Sequence, residues 1–336
     1  MNRRVRPLAA AALIFLLACL AAVLQFHAIF STRVPGNFLT DNAFLGITAA
    51  GMTFVILSGG IDLSVGAVIG FTGDFIAVLI TRAGVPPSLA FAAALLVSAG
   101  FGAAMGAAIH YLSVPGFIVT LTGMFLARGA AQVLSPESIA INHAVYSAIS
   151  GTCYRLPGGR RLSLIGGFMV TDLLPGALLA HRTRFAAAVN ALGGNATSAA
   201  LMGAPLARTT ILIYTLSSTL AGLAGIVFSL YTSAGYSLVA VGVELDPISV
   251  AIIGGTPLTC GYGYFAGTFI GVMLMGLVQT YIIFDGTLSS WWTKIVIGGL
   301  LFMFVLLQRL VFRAQSKRDQ SRTGPGTNRI SDRKHA

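Results

Sequence analysis

The chain has 336 residues, of which 56% are hydrophobic and only 9% are Asp, Glu, Lys or Arg, against roughly 25% charged in ordinary soluble domains. That composition cannot clothe a core in polar surface, so a water-soluble enzyme or scaffold is excluded and a polytopic membrane protein is expected. The net charge of +11 gathers in residues 1–7, in Arg182, Arg184 and Arg208, and in the tail from Arg309, which reads as a cytoplasmic-side signal rather than a nucleic-acid footprint.

A spanning helix needs about 20 apolar residues, and hydrocarbon admits only helices or closed barrels. Barrel strands alternate in polarity, whereas the apolar runs here are continuous, so the fold class is all-α. Spans are predicted at 8–30, 41–58, 65–81, 88–112, 114–134, 162–180, 210–231, 247–258, 262–284 and 291–312. The eighth is too short to cross unaided. Ten transmembrane helices place both termini and the 181–209 loop in the cytoplasm, as the charges require, and the 135–161 loop outside. Arg155, Arg160 and Arg161 fit that outer placement poorly. Residues 1–7 form a basic cytoplasmic N-terminus, 8–312 the transmembrane domain, and 313–336 a polar, Gly- and Pro-punctuated tail that reads as disordered.

Leu16-Leu17-Ala18-Cys19 resembles a lipoprotein cleavage site, but the apolar run continues to Phe30, which favours an uncleaved first span. Between the second and third spans, Leu57-Ser58-Gly59-Gly60-Ile61-Asp62-Leu63-Ser64-Val65-Gly66 breaks the helix pattern. Asp62 and Ser64 suit capping of the next helix, and a broken helix at membrane depth also suits a translocation path. Gly254–Gly261 repeats the pattern G-G-x-x-L-[S/T]-x-G of Gly59–Gly66, which hints at an internal repeat with a broken-helix core. Gly100, Gly102 and Gly106 offer a close-packing face in the fourth span.

Asp74 and Asp172 fall inside apolar spans, where a charge costs at least roughly 2.5–3.5 kcal/mol on insertion scales. Both are suspects for a proton relay, with Asp74 along the path; structurally, Asp74 either pairs with Arg128 or sits protonated, and Asp172 is satisfied beside a break at Pro175-Gly176. In the 181–209 loop Asn195 caps a short helix that Gly203 ends. Fringed by Arg182 and Arg184, that helix either docks on a soluble partner or lies on the lipid surface. Tyr281, Trp291 and Trp292 read as interfacial anchors.

Lys294, Lys317 and Lys334 are the only lysines and none follows glycine, so the chain lacks a phosphate-binding P-loop. There is no H-E-x-x-H and no G-x-S-x-G, and the five histidines and three cysteines are scattered. No catalytic residue, metal site or cofactor is expected on this chain.

The stretch ILSGGIDLSVGAVIGF (Ile56–Phe71) and the loop Arg182–Gly203 resemble the ribose/galactose-type permeases of bacterial ABC sugar importers. The likeness runs from about Arg33 to Gln308. Thr40–Gly66, Ser135–His143 and Phe284–Ile295 are similar to the galactofuranose importer permeases within that group. The resemblance implies an inner-membrane permease moving a monosaccharide, galactofuranose, inward by alternating access. ATP would be hydrolysed on a separate subunit, a periplasmic protein would deliver the sugar, and a second related permease or a second copy would complete the path. It also implies that Arg182, Arg184, Phe185, Gly193, Gly194, Asn195 and Gly203 form the ATPase-docking loop; Asp62, Ser64 and Asp74 are expected along the path from their own polarity and position and not from the resemblance. The chain departs from the family at Pro257, Cys260, Ala186, Asp172 and Pro175. The alternative is a proton-coupled secondary transporter using its intramembrane carboxylates.

Overall fold

A stretch that is apolar around its whole circumference must be surrounded by protein or lipid on every side, and Ala43–Leu57 is such a stretch. In the computed structural model of the protein it forms a central helix with every residue from Leu45 to Leu57 buried. The structure describes residues 6–26, 34–155, 161–257, 261–287, 289 and 291–322. Among these it contains α1 (Arg6–Gln25), α2 (Val34–Asp41), α3 (Ala43–Leu57), α4 (Val65–Thr81), α5 (Pro87–Tyr111) and α6 (Gly116–Leu134). Next come β1 (Ile139–Ala140), α7 (Ala144–Gly151), β2 (Cys153–Arg155), β3 (Arg161–Ser163) and α8 (Leu164–Arg182). After α9 (Arg184–Gly194) and α10 (Ala196–Leu201) the chain forms α11 (Leu206–Thr232), β4 (Ala234–Gly235), α12 (Leu245–Ile253), α13 (Phe265–Asp285) and α14 (Trp291–Arg322).

Among the described residues the fold is all-helical apart from two short antiparallel ladders, β1 with β4 and β2 with β3. Six helices among the described residues are long and apolar enough to cross a bilayer, namely α1, α5, α6, α8, α11 and α13. Helix α3, helix α4 and residues 291–306 of α14 are apolar but shorter, and α12 has only nine residues. Outer faces carry large apolar side chains: Leu96 is 74% exposed, Leu126 65% and Leu174 64%. In water such surfaces would aggregate; against lipid they cost nothing.

Helix α11 is the hub, packing along α5, α3 and α4. Its seam with α5 depends on small residues. A Cβ on Gly102 would lie 2.3 Å from the Tyr214 carbonyl oxygen, and one on Gly106 2.7 Å from the Ile211 Cα. Gly100, expected on the same face, has nothing within 4 Å. Two residues along a helix is a rotation of about 200°, so Gly100 turns away from the seam that Gly102 and Gly106 share. A second seam joins α12 to α13, where notional Cβ atoms on Gly267 and Gly271 would fall 2.0 and 2.1 Å from the carbonyl oxygens of Gly254 and Val250.

Several expectations are corrected. The predicted interruption at Asp172–Pro175 is absent: α8 runs unbroken through Pro175. Gly176 instead makes room for the Phe265 ring, 2.5 Å from its notional Cβ. Packing of α8 on α2 and α3 holds the helix where proline removes one backbone bond. Helix α14 continues to Arg322, past the boundary at 312, because residues 313–322 (RAQSKRDQSR) contain no glycine or proline. The rest of the tail lies outside the described residues, as do residues 1–5 of the basic N-terminus. The 135–161 segment is not a plain loop. Tyr146 of α7 is buried and its hydroxyl lies 3.1 Å from Ser229 Oγ of α11.

Candidate functional site

Two helices stop at left-handed glycines, and they stop in the same way. At the end of α3, Gly59 adopts φ +81°, its N–H donates to the Ile56 carbonyl, and the Gly60 N–H donates to Val55. At the end of α12, Gly255 adopts φ +93°, its N–H donates to Ile252, and the Thr256 N–H donates to Ala251. Only glycine takes that left-handed backbone without cost. The structural counterpart of Gly59 is thus Gly255, one residue along from the Gly254 that the sequence pattern paired with it.

Asp62 organises the first break. Its Oδ1 accepts from the Ser64 N–H at 2.9 Å and from Ser64 Oγ at 2.6 Å, and its Oδ2 accepts from Ser217 Oγ of α11 at 2.7 Å. Asp62 and Ser64 are fully buried. The Ile61 carbonyl accepts from Thr120 Oγ1 of α6 at 3.2 Å. Three donors on one carboxylate satisfy its lone pairs without a cation, so the break is pinned to α4, α6 and α11. Asp62 thus ties the turn in place, whereas Asp74 makes no such bonds. Asp74 is fully buried on α4, and both of its oxygens lack a partner among the described residues. The expected pairing with Arg128 does not form. Arg128 Nη1 instead donates to the carbonyls of Ser237 at 2.6 Å and Val239 at 2.7 Å, and Nη2 lies 3.5 Å from Glu244 Oε1. Asp172 is half-buried, with one oxygen unpartnered among the described residues.

The 181–209 loop folds into two capped helices. Thr183 Oγ1 accepts from the Ala186 N–H at 3.2 Å and opens α9. Asn195 Oδ1 accepts from the Ser198 N–H at 2.8 Å and opens α10. Gly203 follows α10 at φ +76°. Helix α9 was not expected from the sequence. Arg182 and Arg184 are exposed, while Phe185 is half-buried, its ring 5.8 Å from that of Phe54. Leu201 and Met202 are 86% and 77% exposed.

The end of α9 is wedged between the two breaks. A Cβ on Gly193 would fall 1.9 Å from the Leu57 carbonyl oxygen and 3.1 Å from the Gly261 Cα. A Cβ on Gly261 would fall 2.3 Å from the Gly194 nitrogen. Beside this contact lies a cavity of about 380 Å³, lined by Ser58, Gly59, Gly60, Ile61, Pro115, Leu192 and Tyr214 among others. The Tyr214 hydroxyl packs on Gly60 and Gly116 so closely that a Cβ at either would lie 2.6 or 2.5 Å from it. Sequence reasoning missed Tyr214 and the roles of Leu57 and Gly261. Nothing local marks them, because each matters only through a neighbour far along the chain. Cys260 lies outside the described residues. Among the described residues no cluster of His, Cys, Asp or Glu has the makings of a metal site.

Residues 34–305 match the family described as the branched-chain amino acid transport system / permease component. The chain is 57% identical over 309 residues to the inner membrane ABC transporter permease protein YjfF of Escherichia coli (strain K12), covering 92% of this chain and 93% of that one. It is 35% identical to the fructose import permease protein FruG of Bifidobacterium longum (strain NCC 2705), over 93% of each chain. It is 33% identical to the ribose import permease protein RbsC of Escherichia coli (strain K12), over 86% of this chain and 92% of the other. No solved structure matches it. With capped helix breaks inside a lipid-facing bundle and relatives of this kind along nearly its whole length, the chain belongs to the permease components of ABC sugar importers, a transport subunit and not an enzyme.

Proposed function

We propose that this chain moves a monosaccharide, galactofuranose, inward by alternating access, with ATP hydrolysed on a separate subunit docked at α9 and α10. A periplasmic binding protein delivers the sugar, and a second, related permease completes the path. The observation that carries this reading is the wedge of Gly193 between Leu57 and Gly261. A partner that moves α9 moves both helix breaks at once, which is how a force applied at a capped surface helix reaches the interior. Coupling of this kind requires the docking interface to make different contacts in each state.

The ten-span reading counts α1, α3, α4, α5, α6, α8, α11, α12, α13 and α14, with α12 completed by the non-helical turns that precede it. It keeps both termini on the cytoplasmic side with α9 and α10. The matched caps at Gly59 and Gly255 support an internal repeat of α3–α4 and α12–α13. The sugar assignment rests on the likeness of Thr40–Gly66, Ser135–His143 and Phe284–Ile295 to galactofuranose permeases.

The test is reconstitution in liposomes with the ATPase, the binding protein and the partner permease. ATP should drive galactofuranose uptake in preference to ribose or fructose, and a pH gradient without the ATPase should drive none. Arg184→Ala and Gly193→Ala should leave ATP hydrolysis running while uptake falls by about tenfold, since lost coupling of ~1.4 kcal/mol is one decade. Gly194→Ala, with open space at its Cβ, should transport normally. Uptake by the isolated chain under a pH gradient would establish the proton-coupled alternative instead.

A further inference from the structure

Between β4 and α12 the chain does something a lipid-facing segment cannot do. Residues 236–244 are non-helical, yet they descend along the middle of a spanning helix. Gly235 packs on Gly73 and Ala77 of α4, the Ser237 and Val239 carbonyls lie over Gly70, and Ala240 and Glu244 lie over Gly66. From Ala77 to Gly66 is about 16 Å of helix at 1.5 Å per residue. Arg128, holding two of those carbonyls, stands six residues inside the end of α6.

The outer side of this segment is open. Leu238 is 47% exposed, Val241 63% and Leu245 58%, and a Cβ on Gly242 would meet nothing within 4 Å. Ala240 and Gly242 both take positive φ, +57° and +78°. The internal bonds from the Val239 and Val243 N–H groups, with those to Arg128, leave the N–H and C=O groups of Leu238, Val241 and Gly242 without a hydrogen bond among the described residues. Beneath the segment, Ser237 Oγ is buried and unpartnered. So is Asp74, which shares a face of α4 with Gly70. Each unsatisfied backbone group facing hydrocarbon costs several kcal/mol, so irregular backbone at this depth must face water or protein. A row of free amides and carbonyls beside the Tyr236 ring matches the hydroxyls and the apolar face of a sugar.

We propose that the unwound segment, residues 236–244, is the outer wall of the translocation path and binds the passing sugar through its free backbone groups. This rests on the permease reading above. The experiment uses spheroplasts carrying the assembled transporter with its binding protein, and a membrane-impermeant cationic methanethiosulfonate reagent. Labelling is scored as the increment over the parent chain, which has its own cysteines. Val241→Cys and Leu238→Cys should label about tenfold faster than Leu96→Cys on the lipid face of α5, because a thiol ionises only in contact with water. Galactofuranose should slow that labelling, and labelling should block uptake. Labelling as slow as that of Leu96→Cys would mean that lipid or an abutting protein covers the segment, and the wall is then wrong. Fast labelling that galactofuranose does not slow, with uptake intact, overturns it equally. Uptake by the unlabelled parent is measured alongside, so a failure of the permease reading shows there and nowhere else.

Discussion

At the scale of single residues, the buried acids divide by what surrounds them. Asp62 collects three donors from Ser64 and Ser217, whereas Asp74 collects none among the described residues. Removing the Asp62 carboxylate strands the hydroxyls of Ser64 and Ser217 in a dry interior. Asp62→Ala should therefore cost about 1.5–3 kcal/mol, read as a lower melting temperature of the detergent-solubilised chain. Asp62→Asn, which keeps an acceptor, should cost less. The capping role of Asn195 was visible in residue type and spacing; the one expected of Asp62 is not seen, since its carboxylate ties the turn at Ser64 and accepts from no amide of α4, whose N-cap Ser64 makes no side-chain cap bond. That Asp62 also reaches Ser217, 155 positions away, was not visible, because no local pattern encodes a partner so distant.

At the scale of elements, glycine is informative only through its rotational position. Gly100 and Gly102 are equivalent as letters, yet a side chain at Gly102 collides with α11 and one at Gly100 meets open space. Gly102→Leu should destabilise the α5–α11 seam by about 1–3 kcal/mol, the usual cost of overpacking. Gly100→Leu should leave the melting temperature unchanged. The two helix breaks carry the same lesson. The pattern at Gly59 and Gly254 identified both interruptions but set them one residue out of register, since the geometry pairs Gly59 with Gly255. Helix α8 shows the converse, a proline that reads as a break but sits inside an unbroken helix held by its neighbours.

At the scale of the whole molecule, the proposed topology separates the ends of the bundle. Helices α9 and α10 lie at one end, and α7 with the two β-ladders at the other. Met202→Cys, 77% exposed after α10, and Val145→Cys, 37% exposed at the start of α7, should react with an impermeant thiol reagent from opposite sides of a sealed membrane. Met202→Cys should react only from the cytoplasmic face. Reaction of both from one face would refute the ten-span arrangement.

Composition and continuous apolar runs were enough to establish a helical membrane bundle, and charge placement was enough to propose its orientation, because both depend on the bilayer and on no particular contact. Motif spacing likewise exposed the two breaks and the capped loop, since caps act over three or four residues. The tertiary structure alone decided that Gly193 locks against Leu57 and Gly261, that Arg128 clasps the backbone at Ser237 and Val239, and that the chain before α12 runs unwound along α4. These are close approaches between segments dozens of residues or more apart in the chain, and only three-dimensional packing brings such segments together.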